Sequence, residues 1–142
     1  MNFKYFLNEA SKTAVQPKTK DELKKIIEDT IKEQGFKCDL NFIDTSKIID
    51  MSFLFYDTKF NGDISKWDVS NVKDMEGMFC RSDFNGDISK WDVSNVKDMV
   101  GMFCRSDFNG DISKWDVLNV KKMRDMFAES PLEGNEPDWY KD

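Results

Sequence analysis

Three aspartates, Asp63, Asp87 and Asp111, each follow an Asn-Gly pair and recur every 24 residues. Carboxylates stacked in a column could supply the oxygen ligands that Ca²⁺ takes. An aspartate directly after Asn-Gly has a simpler use, accepting hydrogen bonds from the backbone of its own turn. The turn reading is preferred, and no metal is expected. A second column, Asp68, Asp92 and Asp116, runs beside Lys66, Lys90 and Lys114. Mixed stripes of this kind form a solvated surface in which single ion pairs contribute little. Repeat proteins bind through the exposed side of their repeated elements. Ser65, Lys66 and Asp68, with Ser89, Lys90 and Asp92 and then Ser113, Lys114 and Asp116, are therefore expected to form a partner-binding face.

Other chemistry is sparsely represented. The chain has 142 residues and no histidine, so the commonest general base and transition-metal ligand is missing. No Gly-rich phosphate loop and no metal-ligand cluster stands out. Polar groups repeated in columns share one environment, whereas a catalytic site needs unlike groups converging at one place. No enzyme activity, catalytic residue or cofactor is expected. The three cysteines, Cys38, Cys80 and Cys104, do not make a disulfide framework. Cys80 and Cys104 sit one period apart and read as semi-buried thiols. The net charge of −6 argues against a nucleic-acid partner, which calls for a basic surface. No apolar run reaches transmembrane length, so membrane insertion is not expected.

The elements that hold these columns follow from the period. Residues 61–84 and 85–108 differ only at Glu76 against Val100, and 109–132 repeats the first nine positions before drifting. Residues 37–60 keep the apolar skeleton, and 133–142 begin a further degenerate unit. The four tryptophans, Trp67, Trp91, Trp115 and Trp139, lie one period apart. Every methionine after Met1 falls in one of two columns, beginning at Met51 and Met78. One unit of this length cannot bury its own apolar face, so neighbours must stack.

Within a unit, Asn61-Gly62-Asp63 signals a turn. Ile64 to Val69 reads as a short strand with Trp67 and Val69 on its inner face. Val72, Met75, Met78 and Phe79 have helical spacing, with Asn71 as the expected N-cap. The expected fold class is α/β, a short right-handed leucine-rich-repeat-like solenoid of four to five coils. Each coil would carry one short parallel strand and one short helix. Residues 17–36 are expected to form an amphipathic capping helix, with a Thr19–Glu22 capping box and Gly35 at its end. In residues 1–16, Phe3, Phe6 and Leu7 suit either packing on that cap or a docking peptide for a partner.

The run FNGDISKWDVSNVKDM, continued to the MF at Met78-Phe79, resembles the repeat of the BspA-like leucine-rich-repeat proteins, over residues 37–132. That resemblance implies adhesion or protein binding and carries no catalytic residue with it. The expected function is a non-catalytic protein-interaction module, monomeric in isolation, with a protein partner. One form would be a phage-encoded inhibitor of a host protein. The alternatives are a phage virion structural or accessory protein, or a surface adhesin. The expected location is bacterial cytoplasm or phage virion, and the surface only if a signal sequence has been removed.

Overall fold

The computed structural model describes residues 15–142. Phe3, Phe6 and Leu7 lie outside them. Helix α1 spans Lys20–Gln34. Thr19 caps it, its hydroxyl accepting from the Glu22 N–H at 3.2 Å, while the Lys18 N–H donates to the Glu22 carboxylate at 2.7 Å. Asp21 and Glu22 sit favourably at the positive end of the helix. At the other end Gly35 takes φ +91° and its N–H returns to the Ile31 carbonyl, a conformation that glycine adopts without strain. The apolar face, Leu23, Ile26 and Ile27, is buried against the units that follow. Lys20 secures the contact by an ion pair to Asp50 at 3.4 Å and a hydrogen bond to the Ser52 hydroxyl at 2.9 Å.

Beyond α1 the expected architecture is wrong. Among the described residues there is no second helix and no β-sheet. Strand-like pairing is confined to isolated parallel bridges, such as Asp39 with Asp63 and Asp74 with Asp98. The chain is therefore not an α/β solenoid with a strand and a helix in each coil. The reason lies in a series of tight turns. Trp67 N–H bonds the Ile64 carbonyl, Val72 the Val69 carbonyl, Met78 the Met75 carbonyl and Ser82 the Phe79 carbonyl. Such turns place every third residue inward, which mimics helical spacing. Gly77 then takes φ +58° and Arg81 φ +59°, left-handed values that a right-handed helix cannot contain. The same pair of turns recurs at Gly101 and Arg105.

Registry between units comes from bonds and rings one period apart. Met75, Gly77, Phe79 and Arg81 donate their N–H groups to the carbonyls of Asp98, Val100, Met102 and Cys104. Met99, Gly101, Phe103 and Arg105 donate to Lys122, Arg124, Met126 and Ala128 in the same way. Inside, Phe55, Phe79, Phe103 and Phe127 form one row with successive centroids 5.6, 5.6 and 5.8 Å apart and nearly parallel planes. Phe60, Phe84 and Phe108 form a second row. Aromatic pairs at this range add about 0.5–1.5 kcal/mol beyond burial.

The tryptophans lie in the core as expected, with Trp67, Trp91 and Trp115 only 4–5% exposed. Turn geometry puts them there, not strand alternation. Each indole N–H donates to a carbonyl one unit back: Trp67 to Leu40, Trp91 to Ile64, Trp115 to Ile88 and Trp139 to Ile112. A buried donor needs such a partner, and here the partner also fixes one unit against the next.

Candidate functional site

The exposed face carrying Lys66, Lys90 and Lys114 is built from paired Asp–Ser turns. Asp63 Oδ1 accepts the Ser65 N–H at 2.9 Å and its hydroxyl at 2.7 Å. Asp68 does the same with Ser70, Asp87 with Ser89, Asp92 with Ser94 and Asp111 with Ser113. This is the side-chain turn for which aspartate and serine are favoured. The Asp and Ser positions of the expected binding face therefore shape its backbone. The lysines are its unengaged groups. Lys66, Lys90 and Lys114 are exposed, and no carboxylate among the described residues lies within ion-pair distance of them. Asp116 keeps only the backbone bond, from the Leu118 N–H at 3.1 Å, because leucine supplies no hydroxyl.

These hydrogen bonds hold the carboxyl groups of Asp63, Asp87, Asp92 and Asp111 below the usual aspartate value of 3.8. At Asp63 the Ser65 N–H is the largest cause. At the other three the serine hydroxyl leads. A depressed folded-state pKa stabilises the fold above the unfolded value and loses that contribution as pH falls through the folded one. The melting temperature is accordingly expected to stay level from neutrality to about pH 5 and to fall below pH 3.8. Combining Ser89→Ala with Ser94→Ala should make the acid limb shallower, as a series of thermal melts against pH would read.

Several structural roles were not foreseen from the residue columns. Asn71 is not a helix cap. Its Nδ2 donates to the Ser46 carbonyl at 2.7 Å, and Asn95 and Asn119 donate to Ser70 and Ser94 in the same way. Asn61 Oδ1 accepts the Asn85 N–H, and Asn85 Oδ1 the Asn109 N–H, both at 2.8 Å. The asparagine columns are thus unit-to-unit ties, a role that their strict recurrence could have signalled. The carboxylates that approach one another are Asp74, Glu76 and Asp98, within 4.8 Å, and not the Asn-Gly-Asp column. Asp74 and Asp98 each accept a backbone N–H two residues on, at 2.9 Å. Cys80 and Cys104 are half-buried free thiols. Burial, reinforced by the Cys104 thiol beside it, pushes Cys80 up to about 11, away from the reactive thiolate form.

A family model described as "Mycoplasma protein of unknown function, DUF285" matches residues 22–139. The chain belongs to the DUF285 family. The matched span of this DUF285 chain runs from the first turn of α1 to Trp139, so it takes in both the helix and the repeats. No curated protein and no solved structure matches it. No helix among the described residues is long and apolar enough to cross a membrane.

Proposed function

We propose that this DUF285 chain is a non-catalytic protein-binding module that meets its partner through the exposed lysine-bearing face. The observation that supports the reading is the unpaired lysine column. Lys66, Lys90 and Lys114 recur at one position of successive units, close enough to Asp63, Asp87 and Asp111 to be felt electrostatically but with no carboxylate among the described residues at ion-pair distance. The backbone beneath them is tied by the Trp and Asn bonds between units. The tied backbone fixes the spacing of the three lysines, and a row of positive charge favours encounter with an acidic surface. The likeness of the FNGDISKWDVSNV run to BspA-like repeats, a family associated with adhesion and protein binding, points the same way.

The test is a partner captured by the full chain, with affinity then measured for the triple variant Lys66→Glu, Lys90→Glu, Lys114→Glu. Affinity should fall at least about tenfold, roughly 1.4 kcal/mol, with the melting temperature unchanged. Unaltered affinity would exclude this face as the binding surface.

A further inference from the structure

The last unit breaks the pattern of those before it, and the break concentrates at one place. Val117, Val120 and Met123 are half-buried, whereas their counterparts Val93, Val96 and Met99 are at most 1% exposed. With Trp139 they floor an open groove of about 800 Å³, a size usual for ligand-binding clefts. Leu118 forms one wall and is 87% exposed, where the preceding units carry Ser70 and Ser94.

Backbone groups are left open in the same groove. Met75 and Met99 donate their N–H groups to the next unit, but the Met123 N–H has no acceptor among the described residues. Lys97 and Lys73 accept from Lys121 and Lys97 through their carbonyls, but nothing donates to the carbonyl of Lys121. Two neighbouring ladder positions are closed by carboxylates where earlier units use carbonyls. Asp142 Oδ1 takes the Asp125 N–H at 3.0 Å, and Glu133 Oε2 takes the Glu129 N–H at 2.7 Å.

The charge also reverses here. The column that reads Asp50, Asp74 and Asp98 ends in Lys122, and the column that holds Glu76 ends in Arg124. With Lys121 and Lys141 these form a rim of four cations in which Asp142 is the one carboxylate, on a chain of net charge −6. Only Arg124 meets a carboxylate, its sequence neighbour Asp125, at 3.7 Å.

We propose that this groove binds an extended acidic segment of a partner protein. The segment's backbone would pair with the Met123 N–H and the Lys121 carbonyl, and its apolar side chains would cover Val117, Leu118 and Val120. Open ladder groups invite such strand-like addition, and the rim selects its charge. A second copy apposed through the same end would set like charges against each other. The proposal rests on the protein-binding reading but uses a different surface, so the two can fail separately.

The test uses the full chain and a fluorescein-labelled hexapeptide alternating acidic residues with leucine, followed by anisotropy. Saturable binding is expected in the range of about 10–100 μM. Replacing the acids by lysine, or the leucines by serine, should weaken it at least about tenfold, or 1.4 kcal/mol. The double variant Lys122→Asp, Arg124→Glu gives the last unit the Asp74–Glu76 combination of the unit at 61–84, so it should melt like the parent and bind at least about tenfold more weakly. The triple lysine variant of the other face should bind the peptide as the parent does. Amide shifts on peptide addition should centre on Leu118 and Met123. The proposal is overturned by the absence of saturable binding, by equal binding of the lysine peptide, by full affinity in the double variant, or by shifts centred elsewhere. A concentration-dependent dimer that masks the same amides would also overturn it.

Discussion

Phe79→Ala is expected to cost about 3–5 kcal/mol, the range for deleting a buried aromatic ring. Phe79 is fully buried and touches four rings: Phe55, Phe84, Trp91 and Phe103. Its removal opens a gap in the row that joins successive units, and those rings are held by backbone ladders that limit collapse into it. For a chain of this size the loss corresponds to a drop in melting temperature on the order of 15 °C. Domains of this class have total stabilities of only about 5–15 kcal/mol, so a fraction of the variant should be unfolded at body temperature. Phe53→Ala is the natural control. Phe53 lies in the same unit as Phe55 but is 47% exposed, and its loss should shift the melt by a few degrees at most. Similar shifts for the two variants would contradict the ring-row account.

The second large effect is steric. A methyl group at Gly62 would overlap the carbonyl oxygen of Cys38 and stand 2.7 Å from Phe60 Cε1. That carbonyl accepts the Asp63 N–H at 3.1 Å, while the Asp63 carbonyl accepts the Leu40 N–H at 3.0 Å. Gly62→Ala must therefore push two units apart at their bridge. Overpacking usually costs about 1–3 kcal/mol and occasionally more. Gly62→Ala belongs at the upper end because a backbone atom is in the way. At Gly110 the nearest atoms are side-chain atoms of Phe108, at 2.8 and 2.9 Å, and no backbone atom is in the way. Gly110→Ala should cost about 1 kcal/mol, reduced further by the smaller entropy of the unfolded chain. Urea denaturation of the two variants should rank Gly62→Ala well below Gly110→Ala. The reverse order would mean that the units are not in contact at Cys38.

The core was legible in the sequence, and the backbone path was not. A column of tryptophan, methionine or phenylalanine recurring every 24 residues has to be buried against its copies, whatever conformation carries it. Conformation is a separate matter. Apolar residues at Val72, Met75 and Met78 fit a helix and a succession of tight turns equally well. The deciding feature is the left-handed backbone at Gly77, and residue type hardly marks it. The same position in other units holds Phe53 at φ +56° and Asp125 at φ +57°. Helix α1 could be read because its signals are local: Thr19, Glu22 and Gly35 are cap residues whatever lies around them.

The exposed columns were legible only in part. Exposure of Lys66, Lys90 and Lys114 follows from their charge and from their place next to a buried tryptophan. The engagement of Asp63 and Asp68 with serines two residues on is a turn property, and Asp-x-Ser also occurs in structures without it. The groove beside Leu118 left visible traces, a serine lost and an aspartate turned to lysine at position 122. Their meaning depends on knowing which N–H and carbonyl groups the ladder leaves open at Lys121 and Met123.

The central claim is that each unit is fixed to the one before it, one period away, by bonds that break together. Exchange of the indole Nε1–H protons, followed by NMR in deuterated water, tests this directly because the chain has four tryptophans in a well-separated spectral region. The Nε1–H groups of Trp67, Trp91 and Trp115 are buried and bonded to carbonyls of the preceding unit. They should exchange slowly, at one common rate set by global unfolding, while half-buried Trp139 exchanges faster. Free-indole exchange at Trp67, Trp91 or Trp115, or three unrelated rates among them, would contradict it.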